Sequence, residues 1–258
     1  MQFTANSFSL KNTLESGQFF RYTEDNGRYY IISHGKMFSL EQKNNTLIHE
    51  NADTIFVKRF LGVNRKYYEA LTKLQQDSIL APVMKEIAGI SILKQEPWEC
   101  AAAFLCSQCS NIKRITKNVN DLAKNFGKKV VFEDHEGFVF PKPEEIDNDA
   151  KLKTCKLGYR EQYFQRIKHF SINAESYEEA MNFLQQYAGV GEKIADCVCL
   201  FALGYTQAFP VDVWIRRAMK HLFGIEKPKE IKQFARKRWN THAGYAQQYV
   251  YHWARSNL

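Results

Sequence analysis

Leu184-Gln185-Gln186-Tyr187-Ala188-Gly189-Val190-Gly191-Glu192-Lys193-Ile194-Ala195-Asp196-Cys197-Val198-Cys199-Leu200 is the stretch on which the fold of this chain turns. It reads as a helix, a Gly-Val-Gly corner and a second helix. Glycine adopts positive φ without penalty and lets another backbone come close. Ile194, Cys197, Val198 and Phe201 recur at i, i+3, i+4 and i+7, an apolar stripe for burial. The open N–H groups at the start of the second helix suit a phosphate, helped by the helix dipole. A tight corner between two packed helices uses the same glycines, so the turn by itself leaves both readings open.

Downstream of this corner comes Pro210-Val211-Asp212-Val213-Trp214-Ile215-Arg216-Arg217. Proline breaks the chain and Asp212 stands where a helix N-cap belongs. Lys193 lies in the first turn of the preceding helix. A lysine and an aspartate therefore each sit at a helix start, in connected elements. Taken singly, Lys193 also reads as a surface lysine paired with Asp196 at i+3, and Asp212 as a plain cap. The charge distribution bears on the choice. Residues 1–150 carry 19 basic and 19 acidic side chains, so the whole net charge of +8 falls in 151–258. A one-sided basic half favours a polyanion, nucleic acid first, although a solvated basic face has the same composition.

The chain has 258 residues, 45% hydrophobic and 25% charged, which is globular composition for one large domain or two small ones. No apolar run is long enough for a membrane span, and the N-terminus lacks the pattern of a secretory signal. The first fifty residues read as strands: Phe19–Tyr22, the turn Asp25-Asn26-Gly27, Arg28–Ile32, Lys36–Leu40, the turn Asn44-Asn45 and Thr46–His49. From about residue 51 the spacing turns helical. Helices are predicted over Trp98–Ser107, Ile112–Phe126, Arg160–His169, Tyr177–Tyr187, Ile194–Leu203, Val213–Phe223, Lys229–Trp239 and Ala243–Ala254. Gly127–Asp149, with Pro141 and Pro143, reads as loop. The predicted class is α+β, a small antiparallel sheet domain with helices over 1–96 and a larger all-helical domain over 97–258. The six cysteines form no iron–sulfur ligand set, and Cys106-x-x-Cys109 has no second pair at zinc spacing, so most of them read as reduced packing residues in a cytosolic protein.

Gly189 to Cys197 followed by Pro210-Val211-Asp212 resembles the helix-hairpin-helix, Gly/Pro-rich loop and aspartate signature of the DNA glycosylase superfamily. Within it the resemblance is to the 8-oxoguanine DNA glycosylases. Ser16-Gly17-Gln18-Phe19-Phe20-Arg21 is similar to their N-terminal strand motif, Leu157-Gly158-Tyr159-Arg160 to their DNA wedge, and Ala243-Gly244-Tyr245-Ala246-Gln247 to their last helix. These motifs come in the family's order and span nearly the whole chain.

The resemblance implies a repair enzyme that flips 8-oxoguanine out of duplex DNA. Lys193 is implied as the nucleophile at C1′ and Asp212 as the group that stabilises positive charge on the sugar. An ammonium cannot attack, and burial together with a helix N-terminus favours a neutral amine. A lysine nucleophile implies strand cleavage by β-elimination as well as base release. The Gly17 carbonyl would accept from N7–H, which guanine lacks. Gln247 would read the Watson–Crick edge, with Pro210 beside it. Tyr251, a helical turn beyond Gln247, would stack on one face of the base and Cys197 on the other. A core aromatic is the plainer reading of Tyr251. Tyr159 would be the wedge, Arg114 and Arg160 would face the orphaned partner base, and Asn111, Gly189, Gly191 and Trp214 would contact DNA. Arg114 meeting a phosphate instead remains open.

The chain departs from the animal pattern at two places. Cys109 replaces an asparagine that contacts the orphaned cytosine, so looser opposite-base selectivity is expected. Trp214 replaces a phosphate-contacting histidine; an indole donates one bond but carries no charge. The scheme requires no metal and no cofactor. The expected partner is double-stranded DNA containing 8-oxoguanine, bound by a monomer. The expected setting is the cytoplasm of a bacterium or archaeon, at the nucleoid. Two other readings are an alkylated-purine glycosylase of the same superfamily, disfavoured by Lys193, and a non-catalytic helix-hairpin-helix DNA-binding protein, which leaves Lys193, Asp212 and Gly17 unexplained together.

Overall fold

Turn residues that tolerate positive φ lay out the N-terminal sheet in the computed structural model, which describes all 258 residues. Asn26 and Gly27 (φ 51° and 83°) join β2 (Tyr22–Asp25) to β3 (Arg28–Ser33). His34 and Gly35 (φ 51° and 75°) lead into β4 (Lys36–Lys43), and Asn44 starts the turn to β5 (Thr46–Glu50). With β1 (Gln2–Thr4) these form one antiparallel sheet in the order β1-β5-β4-β3-β2. Ile31 pairs with Phe38 and Leu40 with His49, which puts the apolar residues of β3 and β4 into the core.

Three segments depart from the sequence expectation. Phe19–Arg21, read with Tyr22 as a strand, precede β2, which starts at Tyr22 and takes in Asp25. Leu10–Glu15, within the stretch read as strands, is a short helix, α1, capped by Ser9 and buried through Leu10, Thr13 and Leu14. Gly127–Asp149, read as loop, holds a hairpin of β6 (Lys129–Phe132) and β7 (His135–Phe138) and the first residue of α7 (Asp149–Thr154). An isolated two-stranded hairpin is marginal in water. This one rests on the outer face of the sheet: His135 stacks on Tyr30 at 3.5 Å between ring centroids, and the Tyr30 hydroxyl donates to Glu133 at 2.9 Å. The signal for it is tertiary, and the prolines masked it.

The helical part follows the apolar periodicity closely. After α2 (Thr54–Phe60), α3 (Arg65–Leu74) and α4 (Leu80–Glu86) come α5 (Pro97–Cys106) and α6 (Ile112–Phe126). Then follow α7, α8 (Glu161–Arg166), α9 (Tyr177–Leu184), α10 (Glu192–Val198), α11 (Val213–Phe223), α12 (Pro228–Trp239) and α13 (Ala243–Asn257). The predicted spans of α6 and α11 coincide with the observed ones. Cys199–Leu203 continues α10 as a turn of π-helix and ends at Gly204, φ 82°. The expected α+β class is what the chain adopts, and one core of 69 buried residues joins sheet and helices.

Asp77 ties the two parts together. Its carboxylate accepts from Arg238 Nε at 2.6 Å, from Trp239 Nε1 at 2.8 Å and from the Ile79 and Leu80 N–H groups. Burial by itself would raise this carboxyl, but Arg238, Trp239 and the two backbone donors hold it well below the usual carboxylate range. Asp77→Ala strands these donors and should cost about 3 kcal/mol, read as a lower thermal midpoint. A carboxyl depressed in the folded state stabilises above its unfolded pKa and loses that contribution as pH falls through its folded value. The gap between variant and wild type should therefore narrow toward acid pH, and equal midpoints at neutral pH would refute the role.

Candidate active site

The hairpin places the lysine. α9 ends in a turn where Gly189 has φ 81°. A Cβ there would come within 2.6 Å of the Tyr163 ring, so only glycine fits. Val190 is buried, and Gly191 is the extended N-cap of α10. Ile194, Cys197, Val198 and Phe201 are buried, as their spacing predicts. That burial leaves Lys193, in the first turn, at the mouth of a cleft.

The cleft has a volume of about 740 Å³, and Gly17, Asn111, Lys193, Asp212, Trp214 and Tyr251 all line it. These come from five separate parts of the chain, Asp212 and Trp214 sharing the start of α11. Asp212 is the N-cap of α11, and its Oδ1 accepts from the Ile215 N–H at 2.8 Å. The cap reading and the cleft reading thus hold together. Burial pushes the Asp212 carboxyl up, while the Ile215 N–H, the Lys193 charge and the Trp214 N–H pull it down; burial prevails. Asp196 does not pair with Lys193. It is fully buried, accepts from the Tyr177 hydroxyl at 2.6 Å and forms an ion pair with Lys232.

Gly17 follows α1 with φ 81°, and a Cβ there would meet Tyr251 Cε1 at 3.0 Å. Gln18 fixes this corner: its amide nitrogen donates to Ser16 Oγ and the Ser91 carbonyl, and its oxygen accepts from the Leu93 N–H. No donor within the chain reaches the Gly17 carbonyl, which leaves it free for a ligand. The Tyr251 phenol is pushed up to about 12, first by burial and then by Asp212.

Three expected base-pocket residues do not line the cleft. Cys197 is 2% exposed, and burial pushes its thiol up to about 12. Gln247 is buried, with its amide donating to the Pro210 carbonyl at 3.2 Å and its oxygen accepting from Gln248. Pro210 is engaged by that bond. A base reaching these buried groups requires the wall of the cleft to open.

Of the expected DNA contacts, Tyr159 is 49% exposed beside Gly158, φ 64°. Asn111 caps α6, and Arg114 is exposed one turn on, without a side-chain partner. Trp214 is half-buried with the Arg217 guanidinium 5.3 Å from its ring. Arg160 requires a correction. It is 2% exposed and does not face the cleft. Its Nε donates to the Gln108 carbonyl at 2.9 Å, Nη1 to Leu157 O at 2.9 Å and Nη2 to Cys109 O at 3.2 Å. Backbone carbonyls consume the fork that was expected to read a base.

Sequence reasoning missed Ser107 and Phe104 as neighbours of the amine. Lys193 Nζ donates to Ser107 Oγ at 3.1 Å and lies 4.9 Å from the centre of the Phe104 ring. No spacing rule connects residues 86 apart. Among His, Cys, Asp and Glu side chains, no group stands close enough together to hold a metal ion.

Comparison with known proteins gives two family matches. The model of the 8-oxoguanine DNA glycosylase N-terminal domain matches residues 1–101, and that of the HhH-GPD superfamily of base excision DNA repair proteins matches 102–241. A probable N-glycosylase/DNA lyase of Methanothermobacter thermautotrophicus is 25% identical, over 99% of this chain and 96% of its own. The solved structure of MBOgg1 with a low-affinity DNA ligand superposes with a TM-score of 0.92 at 31% identity, covering 99% of this chain and 95% of that one. The 8-oxoguanine glycosylase/lyase of Clostridium acetobutylicum, solved with duplex DNA carrying cytosine opposite 8-oxoguanine, gives 0.90 at 27% identity, covering 100% and 98%. A 3-methyladenine DNA glycosylase from Archaeoglobus fulgidus, at 0.83 and 18% identity over 99% of this chain and 98% of that one, shares the fold alone.

Arginine substitutions separate bracing from DNA contact. Arg160→Ala leaves the Gln108 and Cys109 carbonyls without their donor and should lower the thermal midpoint. Arg114→Ala should leave the midpoint unchanged and weaken affinity for duplex DNA. The opposite ranking, in stability and in affinity, would show that Arg160 is the side chain free to meet DNA.

Proposed function

Because the chain belongs to the HhH-GPD superfamily of base excision DNA repair proteins, with an 8-oxoguanine DNA glycosylase N-terminal domain, we infer that it removes 8-oxoguanine from duplex DNA and cleaves the strand at the resulting site. One observation carries the reading. Lys193 and Asp212, each at the start of a helix, open on the same cleft as the unbonded Gly17 carbonyl. A DNA-gripping scaffold requires none of these three in one place.

The damaged nucleotide leaves the stack, at a cost of a few kcal/mol. The exposed ring of Tyr159 fills the gap and offsets part of that cost, while Arg114 reaches the orphaned base. In the cleft the Gly17 carbonyl accepts from N7–H of the lesion; guanine presents an acceptor there and is rejected. Tyr251 supports a face of the base, and with Cys197, Pro210 and Gln247 would close around it once the wall opens. Lys193 attacks C1′ through the lone pair of its Nζ, which sheds a proton as the C–N bond forms. The C1′–N9 bond breaks and its electron pair leaves with the base, which takes up a proton. Asp212 stabilises the positive charge on the sugar as that bond lengthens. The C1′–O4′ bond of the amine–sugar adduct then breaks, O4′ keeping the electron pair and taking a proton as the C4′ hydroxyl, while the nitrogen lone pair forms the Schiff base. Loss of a proton from C2′ then expels the 3′ phosphate. Gly189 and Gly191 present the hairpin backbone to the duplex, and Asn111 and Trp214 border it. The reading makes the protein a monomer, at work in the cytoplasm of a bacterial or archaeal cell, consistent with an archaeal relative matched along 96% of its length.

Borohydride reduction of a mixture with a duplex carrying 8-oxoguanine should give a covalent protein–DNA adduct, absent in Lys193→Gln. An adduct that persists in Lys193→Gln would displace Lys193 from the chemistry. The same duplexes test the partner base. With Cys109 exposed at the cleft and Arg160 turned inward, excision opposite each natural base should differ little, and a strong preference for cytosine would contradict this.

A further inference from the structure

The C-terminal end of α5 presents two groups to the amine of Lys193, and a third orients one of them. The Phe104 ring lies under it, Ser107 Oγ accepts from it at 3.1 Å, and the Phe104 carbonyl accepts the Ser107 hydroxyl hydrogen at 2.7 Å. A hydroxyl has one hydrogen to give. With that hydrogen spent on Phe104, Ser107 meets Lys193 as an acceptor only. An alkyl amine at the end of four methylenes rotates freely unless one of its N–H bonds is fixed. A neutral amine has two N–H bonds and one lone pair, so fixing one N–H confines the lone pair to a narrow set of directions.

The segment carrying Ser107 is itself held. The Gln108 amide donates to the Gly189 carbonyl of the hairpin at 3.2 Å. Arg160 grips the carbonyls of Gln108 and Cys109 from the other side. The buried guanidinium thus has an assignment: it fixes the loop between α5 and α6, whose first residue touches the amine.

We propose that Ser107 is a positioning residue for the nucleophile: its Oγ takes one N–H of Lys193 and aims the lone pair into the cleft, while Arg160 and Gln108 hold the segment that bears it. The assignment rests on Lys193 being the nucleophile. It concerns orientation alone, since Ser107 forms no bond to substrate and moves no proton.

Single-turnover borohydride trapping on a duplex with 8-oxoguanine opposite cytosine tests it, together with affinity for a duplex containing a tetrahydrofuran abasic analogue. Ser107→Ala should trap roughly tenfold more slowly at saturating enzyme, about 1.4 kcal/mol in the barrier, with affinity for the tetrahydrofuran duplex unchanged. Ser107→Thr keeps the hydroxyl and should recover most of the rate. Trapping by Ser107→Ala at the wild-type rate overturns the proposal. So does slow trapping accompanied by an equal loss of affinity and no rescue by threonine, which is the signature of a damaged loop. If wild type itself gives no adduct, the nucleophile reading fails first and the positioning role falls with it.

Discussion

The meeting of α5 and α10 fixes the cleft. α5 is buried along its whole length, Trp98 to Cys106, so it has no freedom to shift. α10 packs on it through its apolar stripe: Phe104 and Phe201 stack at 5.5 Å, and the Cys100 thiol lies 4.0 Å from the Cys197 carbonyl. The C-terminal end of α5, rich in carbonyls, therefore faces the N-terminal end of α10, rich in N–H groups, and Lys193 stands between them. A flexible side chain acquires a fixed place because both helices beside it are packed into the core.

Buried charge does the bracing around this pair, and each charge has a partner. Asp196, at 0% exposure, ties α10 to α9 through Tyr177 and to α12 through Lys232, which also reaches Glu192 at 2.6 Å. Burial raises its carboxyl and Lys232 opposes the shift. Glu99, in the first turn of α5, is pushed up to about 7 by burial against the pull of Arg21. Arg21 in turn donates to Asn120 of α6 at 2.7 Å and to the Phe138 carbonyl of β7. Removing one member of such a set leaves an uncompensated charge, so these groups fix relative positions even where they add little net stability.

Most helix starts were legible in the sequence because capping and periodicity are short-range, whereas α8 and α9 stop three residues before the predicted ends. Asp212 caps α11 within three residues, and the glycines of the corner act on their own backbone. The sheet was legible for the same reason, since Asn26-Gly27 and Asn44 set their turns locally. What escaped depends on distant partners. The β6–β7 hairpin exists because Tyr30 and Arg28 receive it, and Arg160 turns inward because Gln108 and Cys109, about fifty positions upstream, offer carbonyls there.

The sequence by itself determined the architecture, the lysine and aspartate at their helix starts, and the concentration of net positive charge in residues 151–258, all of which follow from residue type and local spacing. Only the tertiary structure decided what touches the amine, which of Arg114 and Arg160 is free, and that Gln247 and Cys197 are buried outside the cleft lining. Those outcomes depend on which carbonyls and hydroxyls are left unpaired once the helices have packed, and packing brings together residues that no local rule connects.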